Sequence, residues 1–133
     1  MSAPYCRALL LADNVLCDQF TDKWSLIGVF STAWAHRFPI LVPTLACYAS
    51  VFDAGDAARG AKFVIRDPEQ AVIREHVFND IDLNPAGENE FGCIFPNVLL
   101  DKAGRYSVEF VMDGQLLQSA RLDAKLVPHF SVS

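Results

Sequence analysis

The stretch from Gly104 to Leu126 restricts the fold more than any other part of the chain. Tyr106, Val108, Phe110 and Met112 alternate with Arg105, Ser107 and Glu109; after Asp113-Gly114, Leu116, Ala120, Leu122, Ala124 and Leu126 alternate with Arg121, Asp123 and Lys125. A period of two marks a strand with one buried face. Asp-Gly between two such arms predicts a type I′ hairpin turn, because both central positions need positive φ, which Asp tolerates and Gly adopts freely. Gly104-x-Tyr106 at the head of a penultimate strand also suggests a tyrosine corner, the tie by which a buried phenol holds the chain just upstream of it.

The remainder reads the same way. Tyr5 to Cys17 and Trp24 to Phe38 form the arms of a long hairpin around a turn at 18–23, with a bulge expected at Gly28. Pro39 and Pro43 lack the N–H of a central strand, so the chain is expected to leave its sheet there and cross to a second one. Further strands are expected over Leu45–Phe52, Lys62–Arg66, Ala71–Leu83 and Phe91–Leu100, the last at an edge or bent because Pro96 interrupts it. With no helical periodicity, these elements predict an all-β fold, an antiparallel immunoglobulin-like β-sandwich of about 7–8 strands. The 133 residues, 52% of them hydrophobic, are expected to form one domain over 1–133.

Sixteen acidic against eleven basic residues leave a net charge of −5, the wrong sign for a phosphate backbone, so no nucleic-acid partner is expected. Asp67, Glu69, Glu75, Asp80, Asp82, Glu88 and Glu90 face only Arg74 in opposition and make one acidic stretch. The apolar run Ala8 to Ala12 is too short for a secretory signal, and there is no apolar span of membrane length. Cys6, Cys17, Cys47 and Cys93 form no C-x-x-C pair, and the expectation is four free thiols in a cytoplasmic protein without membrane association.

Catalytic signatures are missing. There is no G-x-S-x-G, no phosphate-binding glycine loop and no short-spaced Cys/His pair for zinc, so no catalytic residue, no cofactor and no enzyme activity are assigned. Asp80-x-Asp82-x-Asn84 resembles the start of a calcium loop, but Pro85 stands where the sharp turn needs Gly and Phe91 where a bidentate acid belongs. Asp80, Asp82, Glu88 and Glu90 remain the calcium candidates in a nonstandard loop; the simpler reading is a solvated edge that deters strand pairing. Trp24, Trp34, Tyr48 and Phe95 are candidates for an aromatic ligand face, against the alternative of core packing.

The first strand is apolar on both parities, which implies cover on both faces and admits a partner as one source of it. Interface candidates are accordingly Leu9 and Leu11, with Val127, Phe130 and Val132 of the C-terminal tail. Asp13, Asp18 and Lys23 are read as residues that hold the first hairpin, the carboxylates accepting turn N–H groups. The pattern Ala8-Leu9-Leu10-Leu11-Ala12-Asp13, then Asp18, then Asp22-Lys23-Trp24-Ser25-Leu26-Ile27-Gly28-Val29-Phe30 and Phe38-Pro39, with Gly104-Arg105-Tyr106 and Asp113-Gly114 later, resembles an uncharacterised bacterial family of small single-domain β-sandwich proteins. The resemblance implies a cytoplasmic bacterial β-sandwich and carries no activity. The expected function is a non-catalytic protein-interaction or structural accessory module, with a homo-oligomer favoured. The alternative is a module for calcium or a small molecule at the acidic 80–90 loop or an aromatic face.

Overall fold

A computed structural model describes residues 4–54, 60–79, 81–84 and 87–128. It is all-β, with nine strands and no helix among the described residues: β1 (Tyr5–Cys17), β2 (Trp24–Val29), β3 (Thr32–Ala35), β4 (Ile40–Phe52), β5 (Gly60–Arg66), β6 (Val72–Asn79), β7 (Glu88–Leu100), β8 (Gly104–Met112) and β9 (Gln115–Leu126). One sheet has the order β2-β1-β4-β7, the other β3-β9-β8-β5-β6. The one parallel pair in these two sheets is β3 with β9.

A single cluster of apolar side chains draws from both sheets. Leu9, Leu45, Cys47, Phe91 and Phe95 on one side meet Phe63, Ile65, Tyr106, Val108, Phe110 and Leu122 on the other. Phe110 joins the layers, its ring 5.1 Å from Phe63 within its own sheet and 5.1 Å from Phe91 across the gap. Each buried Leu, Ile, Val or Phe among them stabilises the packed state by about 1.5–3 kcal/mol relative to exposure.

The C-terminal hairpin follows the alternation in its sequence, with one change of phase. Met112 pairs with Gln115 across a two-residue turn in which Asp113 and Gly114 have φ of 49° and 79°. The register shifts between Phe110 and Val111, which pair with Gln118 and Leu116, so Leu117 is the extra residue of a bulge. Leu117 therefore packs against the core, and Leu116, expected to face inward, is exposed. Tyr106 forms the anticipated corner: its hydroxyl donates to Lys102 O at 2.9 Å and accepts from Lys102 N at 3.3 Å.

A crossing between sheets falls at Pro39 as expected, between β3 and β4, but an unexpected earlier one divides the Trp24–Phe38 arm into β2 and β3. The chain changes sheets at Phe30-Ser31, between β2 and β3, and returns through 36–39, where Phe38-Pro39 is cis. Pro43 lies inside β4, at a level beyond the last β1 partner, Ala46, so no described strand pairs on that side to require its N–H. Pro96 lies within β7, which is the edge strand the sequence anticipates. Gly28 has φ of 71°, yet the β1–β2 register runs through it without a shift, so the expected bulge is absent.

The source of the second cover over β1 is the chain itself. Leu10 pairs with Tyr48, which pairs with Gly92, so these three form one row on the sheet's outward face. Ala12, one step further, is level with Ala46 and Ile94. A straight β1 would carry Cys17 and its partner Trp24 still further along. Instead the Trp24 ring lies against Gly92, where a β-carbon would overlap it, and 5.8 Å from the Tyr48 ring. The β1–β2 hairpin therefore doubles back over its own sheet beyond Asp13, whose carbonyl accepts a hydrogen bond from Thr44 Oγ1 at 3.0 Å. Ala12 and Ala46 are fully buried beneath it, outside the main core.

Candidate functional site

The hairpin that covers the sheet presents a second face to solvent. Val15 pairs with Leu26 and both are half-buried toward the sheet, whereas Leu16, Ile27 and Val29 on the opposite parity are at least half exposed. Phe20, at the tip, is 90% exposed. The tip is tied by Asp18, whose Oδ1 accepts from Phe20 N at 2.8 Å and Thr21 N at 3.1 Å, while Asp18 O accepts from Asp22 N at 2.7 Å. Asp18 thus has the turn-holding role read from the sequence; Asp13 lies instead beside Gly28.

β2 is also an edge of its sheet. Natural edges are usually blunted by charge, proline or a bulge. Trp24-Ser25-Leu26-Ile27-Gly28-Val29-Phe30 contains no charge and no proline, and its pairing with β1 has no bulge. An open backbone ladder beside exposed Ile27 and Val29 is the arrangement that accepts another strand.

The residues singled out from sequence fall into three environments. Leu9 and Leu11 are buried between the sheets, 8% and 3% exposed, which corrects their reading as interface residues; Leu10 and Leu16, of opposite parity, are the exposed leucines of β1. Val127 is half-buried, its N–H bonded to Ala35 O at 2.7 Å, and Phe130 and Val132 lie outside the described residues. Of the calcium candidates, Asp80 lies outside the described residues and Asp82 is exposed. Glu88 accepts from Ser50 Oγ and pairs with Arg7 Nη2 at 2.6 Å, while Glu90 accepts from the Tyr48 hydroxyl. Among the described residues no group of three or more His, Cys, Asp or Glu is arranged to hold a metal.

Burial, reinforced by the bond to Glu90, holds the Tyr48 phenol well above the ordinary tyrosine range. Cys47 faces Cys93 across β4 and β7; its hydrogen bond to Cys93 and its burial push its thiol well up, which makes it a poor nucleophile. All four cysteines are free. His76 packs on the Phe78 and Phe95 rings at 4.7 and 6.3 Å, and His36 is exposed. The two tryptophans separate: Trp24 is half-buried on Gly92, and Trp34 is 58% exposed with Lys125 Nζ 5.9 Å from its ring centre.

No helix among the described residues is long and apolar enough to cross a membrane. Residues 7–125, from β1 into β9, match a family described as a family of unknown function (DUF6941). No curated protein matches the chain.

Proposed function

Because this chain belongs to the DUF6941 family, whose description carries no activity, we propose its function from its own surface: a non-catalytic interaction module that associates with a second copy of itself along β2. The observation that carries this reading is the uncharged edge of β2 beside exposed Leu16, Ile27 and Val29. Antiparallel pairing of β2 with its counterpart about a two-fold axis needs no second complementary surface, since each copy offers the other the same ladder. It would bring Ile27 and Val29 of one protomer against those of its partner and withdraw them from water.

The scaffold reading that goes with it is an immunoglobulin-like sandwich. The orders β1-β4-β7 and β9-β8-β5-β6 follow the A-B-E and G-F-C-C′ pattern of such domains, and the Tyr106 corner at the head of β8 supports the assignment. On this reading β2 is an addition outside the sandwich, free to serve association. The free thiols favour a cytoplasmic setting.

Light scattering across a concentration range tests the proposal. The expected result is a mass of twice 14.7 kDa, falling to that of one chain when Ile27→Lys and Val29→Lys are combined, because charge on an edge strand opposes pairing. A monomer at about 100 μM, far above the dissociation constant of a specific dimer, or a lysine variant with unchanged mass, would refute it.

A further inference from the structure

Another edge strand, β3, has a different chemistry. Ser31 O accepts from Asp123 N at 2.8 Å and Ala35 O from Val127 N at 2.7 Å, so the odd-numbered residues of this segment serve β9. In a ladder, alternate residues direct both backbone groups to one side. Thr32 and Trp34 therefore turn their N–H and C=O away from β9, to a side on which no described strand pairs. The facing wall is Ile40 to Pro43 of β4, the part that runs beyond its last β1 partner. Between them is a groove of about 610 Å³, within the roughly 300–1,000 Å³ of ligand sites.

Cations without an ion-pair partner distinguish the surroundings of this groove. Of the ten described Lys and Arg residues, Arg7, Lys62, Arg66, Lys102, Arg105 and Arg121 are in ion pairs, and Arg74 donates to the Pro96 and Asn97 carbonyls. That leaves Lys23, Arg37 and Lys125. In a chain of net charge −5, two of these three cations, which have no ion pair, flank Trp34: Lys125 over its ring and Arg37 among the lining residues. Asp13 is the one acid in the lining.

We propose that this groove binds an extended acidic peptide strand of another protein, its backbone paired to Thr32 and Trp34, a carboxylate on Arg37 and an apolar side chain against the Trp34 ring. Backbone pairing supplies affinity, and the cation and the indole select the sequence. The groove lining includes none of Leu16, Ile27 and Val29, on which the β2 proposal rests, so either proposal can fail without the other.

The test uses the full chain and the peptide acetyl-Val-Glu-Val-Glu-Val-amide, followed by tryptophan emission, since exposed Trp34 reports on the groove. The expected result is a blue shift that saturates, no shift with the lysine counterpart, and loss of binding when the peptide nitrogens are methylated. Arg37→Glu should weaken binding at least about tenfold, the loss of a charge-assisted hydrogen bond. Lys23→Glu, the same charge change on the remote hairpin tip, should leave it within about twofold. Binding only by the free-acid form of the peptide would support the site with a chain terminus as the carboxylate source. Absence of binding by either form, equal binding of the lysine peptide, equal loss from Lys23→Glu, or a fall in the protein's own mass in Arg37→Glu, which would assign the groove to a second copy, would each overturn the proposal.

Discussion

Gly92→Ala is the substitution that most directly tests how the first hairpin sits. Gly92 does not have a left-handed φ, so an L-residue can adopt its backbone, and what excludes a side chain is the Trp24 ring above it. In a strand with room, alanine would be favoured over glycine by about 0.5–1 kcal/mol, because glycine loses more freedom on folding. Here the added carbon must displace the indole, an overpacking cost of about 1–3 kcal/mol. The net expectation is a loss of about 1.5 kcal/mol. With about 2.1 cal/mol/K per residue over 133 residues, that lowers Tm by roughly 5 °C. Trp24→Ala alone should cost about 2 kcal/mol, near half the usual penalty for a fully buried tryptophan, since the ring is half-buried. In that background Gly92→Ala should instead stabilise by about 0.5 kcal/mol, which makes the coupling between the two sites about 2 kcal/mol. Urea midpoints by far-UV circular dichroism on the four proteins of this cycle measure it. An equal cost of Gly92→Ala in both backgrounds would refute the doubled-back hairpin.

Other expectations follow from single side chains. Tyr106→Phe removes the hydroxyl that serves both Lys102 N and O, and should lower stability by about 1–2 kcal/mol in urea denaturation, with the m-value unchanged. The raised Tyr48 pKa means that the unfolded chain releases this proton first as pH rises; its contribution is intact below about pH 10 and is lost above it, at about 1.4 kcal/mol per pH unit. Tyr48→Phe should flatten that alkaline decline in urea midpoints measured between pH 9 and 11, and an unaltered slope would count against it. With a thiol reagent at neutral pH, exposed Cys17 should react before half-buried Cys6, and Cys47 and Cys93 only after denaturant is added; early reaction of all four would contradict the packing of β4 on β7.

Much of the fold is legible in the residues. Asp113-Gly114 between two alternating arms specifies the β8–β9 hairpin because local φ preference and the period of burial agree. Pro96, for want of an N–H, restricts β7 to an edge or a bend, of which the edge is found, and Gly104-x-Tyr106 anticipates the corner at Lys102. The exposed position of Trp34 and the phase change at Leu117 were not legible. A bulge adds one residue without altering composition, and an aromatic ring in an alternating strand looks the same whether a second layer lies over it or not.

What the sequence by itself determined is the all-β class, the β8–β9 hairpin with its turn, and that β1 needs cover on both faces. All of these are dictated within a few residues, by steric limits on φ and by the two-residue repeat of a strand. What only the tertiary structure decided is who supplies the cover and which edges stay open. The hairpin folds back through Trp24 onto Gly92, 68 positions away in the chain, and the edges of β2 and β3 are open because of where their neighbours stop. Pairing and cover are properties of two segments at once, and the pattern within either one carries no record of the other.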